Sequence, residues 1–155
     1  MLRRITSEDQ DLFITMAREF YSSPAVSHSI PKTHHQMAFR EMTSGSRFMW
    51  GYFLEHQEET AGYAIISQTY SHEAGGLVWW LEEIYVRPAF QGRGLGHQYL
   101  NTIIEQAREQ KIARLRLEVE PDNLRAKALY KALGFQDLEY RQMVWERSEK
   151  ALSKQ

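Results

Sequence analysis

Cysteine is absent from all 155 residues. That excludes disulfides, thiolate metal sites and a cysteine nucleophile. Excess charge is absent too. Nineteen Lys and Arg against 20 Asp and Glu leave a net charge of −1, which gives no electrostatic case for nucleic acid or a membrane surface. No apolar run approaches the length of a membrane span, and Met1-Leu2-Arg3-Arg4 is not followed by a signal-type apolar stretch. A cytoplasmic protein is the default expectation. Internal repeats, linkers and low-complexity stretches are missing as well. What remains is ordinary for one globular domain: 43% apolar and 25% charged residues, with enough length to bury a core. The domain is expected over residues 1–147, followed by a polar tail at 148–155.

Hydrophobic periodicity divides the chain into elements. Residues 2–5 read as a short strand. Ser7-Glu8-Asp9-Gln10 reads as a capping box, with Ser7 as N-cap and Gln10 reaching back. Phe13, Met16, Ala17 and Phe20 then follow a helical face, which Ser22-Ser23-Pro24 ends. A loop spans 23–33, and a second helix runs through Met42 with Pro31 in its first turn. Residues 47–55, 60–70 and 77–86 read as three strands joined by short polar turns, an antiparallel meander. Leu100, Ile103, Ile104 and Ala107 mark a helix over 96–110, and Leu115, Leu117 and Val119 alternate in a strand over 113–119. Strand, helix and strand in that order imply a parallel pair with a crossover. Pro121-Asp122-Asn123 opens another helix, with Ala126, Leu129, Tyr130 and Leu133 on one face and Gly134 as its stop. Residues 135–145 read as one or two final strands. The expected fold class is α/β with a mixed sheet: an antiparallel meander, then a parallel β-α-β crossover.

The most informative stretch is Val86-Arg87-Pro88-Ala89-Phe90-Gln91-Gly92-Arg93-Gly94-Leu95-Gly96. It joins a strand to a helix through a turn with glycines at 92, 94 and 96. Such a turn leaves backbone N–H groups bare at the positive end of a helix dipole, which makes an anion site. Two familiar phosphate motifs fail on detail. A nucleotide P-loop needs Lys-Ser or Lys-Thr after its last glycine, but His97-Gln98 follow Gly96. The dinucleotide fingerprint needs a glycine at position 97, where His97 stands. Taken alone, the turn also suits a plain strand-to-helix connection.

Gln-Gly-x-Gly-x-Gly after a Val-x-Pro strand end resembles the cofactor-binding motif of the GNAT family of N-acyltransferases. A second stretch, Asn123-Leu124-Arg125-Ala126-Lys127-Ala128-Leu129-Tyr130-Lys131-Ala132-Leu133-Gly134-Phe135, resembles the family's Asn-x-x-Ala-x-x-x-Tyr-x-x-x-Gly-Phe. The element order matches that fold nearly end to end, while the specific motifs occupy only 82–96 and 123–135. The resemblance implies acetyl-CoA as cosubstrate, with its pyrophosphate on Gln91, Gly92, Arg93, Gly94, Leu95 and Gly96. It implies that two strands splay apart, that the pantetheine pairs with backbone at Ile84, Tyr85 and Val86, and that a backbone N–H there holds the thioester oxygen. Asn123 and Ala126 are implied to contact the pantetheine arm. Tyr130 is implied to sit near the sulfur, where a phenol protonates the departing thiolate as a general acid. Periodicity alone reads Tyr130 as a core residue beside Leu129 and Leu133.

Glu82 and Glu83 end the third meander strand, one on each side of the sheet by simple alternation. A carboxylate can hold and deprotonate an ammonium ion. The resemblance puts the acceptor-contacting acid at Glu82. Glu83 is the reserve, because a bulge would swap the facing. Both also read as solvated strand-end carboxylates, and Glu120 on the neighbouring strand could add charge. Adjacent His34 and His35 make a poor metal pair, no carboxylate stands at metal spacing, and no metal is expected. The reading is direct transfer of an acetyl group from acetyl-CoA to a primary amine, carried by a small molecule or a peptide. Nucleic acid and membrane are not expected as partners, and a homodimer through the final strands is implied by resemblance. Two alternatives stand beside it: a catalytically inactive acetyl-CoA-binding regulatory module, and an interaction domain with no nucleotide ligand.

Overall fold

The computed structural model of the protein describes residues 1–26 and 28–147. The polar tail expected at 148–155 lies outside the described residues. Among the described residues five strands form one sheet in chain order: β1 (Leu2–Arg4), β2 (Met49–His56), β3 (Glu59–Ser71), β4 (Gly76–Val86) and β5 (Arg114–Leu117). The first four are antiparallel neighbours, and β4 and β5 are parallel. Gln57 and Glu58 both adopt left-handed backbone, φ 48° and 66°, and so close the tight hairpin between β2 and β3. A parallel pair cannot be closed by a hairpin. The β4–β5 crossover is supplied by α3 (Leu95–Glu109). The other helices are α1 (Gln10–Tyr21), α2 (Lys32–Thr43) and α4 (Leu124–Ala132).

The sheet has a core on each face. On one face Phe13, Met16 and Ala17 of α1 and Phe39 and Met42 of α2 pack against Phe53, Tyr63, Ile65 and Tyr85. On the other, Leu95, Tyr99, Leu100, Ile103 and Ala107 of α3 pack against Leu54, Ile66, Trp79 and Leu81. The helical stripes read from the sequence are the faces buried here.

Three local expectations are corrected. The first capping box is Thr6 with Asp9, one residue before the expected Ser7 and Gln10. Asp9 accepts from the Thr6 N–H at 2.8 Å and is held by two Arg3 nitrogens at 3.0 Å each, so the ion pair selects the capping carboxylate. Pro31 is the N-cap of α2, in extended backbone, and not inside its first turn. Residues 135–147 form no strand, so the final strands are not formed among the described residues. Leu138, Tyr140, Met143, Val144 and Trp145 are exposed, and β5, four residues long, has few ladder groups with which to recruit them.

Candidate functional site

The site is made by a gap in the sheet. Pairing of β4 with β5 runs from Val78 opposite Arg114 to Leu81 opposite Leu117, and there β5 ends. β4 continues to Val86, paired with β3 alone. The Arg87 N–H bonds to the Ala61 carbonyl of the β3 side at 2.8 Å. Antiparallel alternation then turns the backbone groups of Ile84 and Val86 away from β3 and into the gap. The Val86 carbonyl is taken there by Gln91 Nε2 at 2.8 Å. The backbone of Tyr85, the middle residue of the expected contact, faces β3 by the same alternation.

A groove of about 660 Å³ opens at this gap. Its lining includes Ile84, Tyr85, Val86, Gln91, Gly92, Gly94, Leu95, Gly96, Asn123, Ala126 and Tyr130, and it reaches Phe20 and Pro24 at the end of α1. Every coenzyme residue expected from the sequence is there except Arg93, whose guanidinium lies over the Phe90 ring at 5.8 Å. Gly92 and Gly94 hold φ of 76° and 74°, and a Cβ at either would meet no atom within 4 Å. The left-handed Gly94 is the N-cap of α3. The first carbonyl-to-amide bond of that helix runs from the Gln98 N–H to the Gly94 carbonyl at 3.1 Å, so the N–H groups of Leu95, Gly96 and His97 precede it. An open, donor-lined helix start on a groove of this size fits the pyrophosphate and arm of coenzyme A.

Asn123 caps α4, its Oδ1 accepting from the Ala126 N–H at 3.1 Å, which leaves its amide N–H groups to the groove. Tyr130 lies about two turns further along the same face, its ring 5.8 Å from Phe135. Burial raises the Tyr130 pKa, so the phenol stays protonated at neutral pH. Its hydroxyl has no protein partner among the described residues.

The carboxylates differ from simple alternation. Ile65 pairs with Glu83 and Ile66 with Leu81, so Glu82 is the extra residue of a β-bulge. Trp79 and Leu81 face α3, as do Ile84 and Val86, whereas Tyr85 faces α1 and α2. The bulge resets the alternation between them and turns Glu83 toward α1. There its Oε1 accepts from the Tyr21 hydroxyl at 2.7 Å and its Oε2 from the Tyr63 hydroxyl at 2.5 Å. Glu82 accepts from the Ser67 hydroxyl, and Ser67 shares the face of Ile65. The two carboxylates therefore stand on one face, and the expectation of one on each side is overturned. Burial pushes the Glu83 pKa up, both phenols pull it down, and the Glu82 charge raises it again.

Sequence reasoning missed Tyr21 and Tyr63, and weighed His35 only as a metal ligand. His35 is buried, with its ring 5.3 Å from Tyr21. Tyr63 alternates with Ile65 and so was readable as an inward residue. Tyr21 lies 62 positions from Glu83, and no local pattern couples them. Nearby, Arg87 is paired to Glu19 at 2.8 Å, tying the end of β4 to α1.

Known proteins resemble this chain in sequence and in shape. Thialysine N-epsilon-acetyltransferase of Bos taurus is 42% identical over 77 residues, 50% of this chain and 45% of that protein. The chain thus spans less than half the length of that relative. The [Ribosomal protein bS18]-alanine N-acetyltransferase of Escherichia coli K12 is 33% identical over 118 residues, 74% of each chain. The aminoglycoside N-acetyltransferase AAC(6')-Iy in complex with CoA superposes with a TM-score of 0.73 at 18% identity, over 96% of this chain and 94% of that one. The profile of the Acetyltransferase (GNAT) family matches residues 12–135, and with the gap, the glycine turn and the Asn123–Tyr130 helix in place, the chain belongs to that family.

Proposed function

We propose that the protein transfers the acetyl group of acetyl-CoA to a primary amine by direct attack on the thioester. The observation that carries this is the gap beside residues 82–86, which separates a donor-lined groove from a face bearing two carboxylates. The N–H groups at the start of α3 take the pyrophosphate, and the backbone of Ile84 and Val86 takes the pantetheine arm. For Val86 this means displacing the Gln91 side chain. Coenzyme A supplies the activated thioester. The carboxylates attract an ammonium and take its proton, because only the neutral amine attacks. The amine nitrogen gains the acetyl group, the sulfur leaves with the bonding electrons, and Tyr130 gives it a proton. Glu82, the acceptor acid implied by resemblance, is the exposed member of the pair; Glu83 is the enclosed one.

The relatives are named for thialysine, for alanine of a ribosomal protein and for aminoglycosides. An acetyl-CoA consumption screen should therefore hold lysine-like diamines, alanine-led peptides and aminoglycosides. Turnover with at least one amine is expected. Coenzyme A binding with no turnover on any amine would instead favour a regulatory module. A cytoplasmic location and a homodimer belong to the same proposal, and cell fractionation and light scattering test them. Among the described residues no helix is long and apolar enough to cross a membrane.

A further inference from the structure

We infer that Glu83 is the carboxylate that takes the proton from the acceptor ammonium, and that Tyr21 and Tyr63 are positioning residues that hold it in place. The inference rests on reading the site as an amine acetyltransferase.

The geometry separates Glu83 from Glu82. Glu83 is anchored from two elements at once, with Tyr21 of α1 on one oxygen and Tyr63 of β3 on the other. Two anchors on different oxygens fix the carboxylate plane. Each ionised oxygen accepts about two hydrogen bonds, so one site on each remains for an incoming ammonium. Glu82 is exposed, and among the described residues its one hydrogen-bond partner is the Ser67 hydroxyl. Long-range anchoring needs the bulge: without the extra residue, Glu83 would point at α3 and away from both phenols.

The chemistry of the anchors matters as much as their number. A cation beside a carboxylate lowers its pKa and weakens it as a base. No Lys or Arg pairs with Glu83 among the described residues. Arg87 is engaged by Glu19 at 2.8 Å. From α2, His35 packs edge-on to the Tyr21 ring, its own pKa lowered by burial and by Arg18 and His34. From β4 comes the like charge of Glu82, and Tyr85 bonds to Glu19 at 3.4 Å. Glu83 is thus held by neutral donors and faced by another anion. Neutral donors aim the base and lower its pKa less than a paired cation would, so that burial still leaves it raised. Proton transfer balances simply: one N–H proton moves to a Glu83 oxygen, the lone pair stays on nitrogen, and Glu83 later releases the proton to solvent.

Opposite shifts test this. With the best amine from the screen, kcat/KM is followed across pH for wild type, Tyr21→Phe, Glu82→Gln and Glu83→Gln. Tyr21→Phe keeps the ring against His35 and removes one donor that lowers the Glu83 pKa. Its acid limb should move to higher pH, with kcat/KM down roughly tenfold on the acid side and near wild type on the alkaline plateau. Glu82→Gln removes a like charge, and its acid limb should move to lower pH. Glu83→Gln should lose the acid limb and on the order of 10²-fold in rate, and adding Tyr21→Phe to it should cost nothing more. Carbon-13 NMR of the glutamate carboxyls, with Glu83 assigned by its loss in Glu83→Gln, should show the same two shifts in free protein. An acid limb that survives in Glu83→Gln, or a Glu83 titration that Tyr21→Phe leaves unmoved, overturns the inference alone. If wild type acetylates no amine, the reading of function falls and takes the inference with it.

Discussion

A phenol is useful as an acid only while it keeps its proton and can reach the atom that needs it. Tyr130 meets the first condition through burial, which raises its pKa, and the second by lining the groove with no partner for its hydroxyl among the described residues. Tyr130→Phe keeps the ring against Phe135 and removes only that hydroxyl. Stability should change little, because no buried partner is orphaned. The chemical step should slow by about 10²-fold or more, in kcat more than in the acetyl-CoA KM. Wild-type kcat in a single-turnover measurement would return Tyr130 to a packing role. Glu83 makes a second prediction, on stability. Its pKa in the fold is raised, chiefly by burial, so between its unfolded and folded values the native state binds the extra proton. Stability is then greatest below the unfolded pKa and is lost as pH rises through the folded one. Glu83→Gln removes that loss, with an amide that can still accept from one phenol and donate to the other. At alkaline pH the variant should melt level with wild type or higher. The difference should close as pH falls through the raised pKa. A variant that melts lower at alkaline pH would show the carboxylate to be structural. Tyr130 was legible because its helix carries a local motif. The Glu82–Glu83 arrangement was legible only as two options, since one extra residue decides it.

At the scale of elements, the strand–turn–helix unit from β4 to α3 does the positioning. The two glycines of this turn that lie nearest the helix have different jobs. Gly94 is left-handed at φ 74°, a conformation that costs an L-residue about 1–2 kcal/mol. Gly96 lies in the first turn of α3 without positive φ, and a Cβ there meets only Leu129 Cδ2 at an ordinary 3.6 Å. Gly94→Ala should therefore lower the melting temperature by several degrees in free protein, while Gly96→Ala should leave it within about a degree or two. Both should weaken coenzyme A, the first by displacing the helix start and the second by placing a methyl on the groove wall. Equal melting temperatures for the two variants would remove the φ argument, and calorimetric titration would read the affinities. The sequence motif marked all three glycines alike; the backbone distinguishes them. Periodicity located the helices and the meander to within a residue or two. It could not show the bulge at Glu82, because a bulge is a property of register with β3 and leaves no local pattern.

For the molecule as a whole, the question is what holds the gap open. The sheet is continuous through Leu81 and Leu117, and beyond that point β4 and β5 are not paired. Backbone groups of Ile84 and Val86 are left facing a groove walled by α3 and α4. The order of elements was enough to anticipate this fold, because a meander followed by one parallel crossover has few compact arrangements. The final strands were not anticipated correctly. Alternation in 135–145 marks apolar side chains but does not provide the paired edge that a strand requires. A ligand that spans the gap would join β4, α3 and α4, and it would bind only the folded chain. Linkage then fixes the size of the response. At free coenzyme A about 100 times its Kd, the native state gains roughly 2.7 kcal/mol. In a domain of this size that raises the melting temperature by roughly 5–10 °C. The shift should grow with the logarithm of ligand concentration above Kd. It should persist in Tyr130→Phe and Glu83→Gln, whose changes lie away from the pyrophosphate turn, and shrink at the same ligand concentration in Gly94→Ala. A melting curve unmoved by millimolar coenzyme A would mean that the glycine turn is a connection and nothing more, and the proposed reaction would lose its cosubstrate.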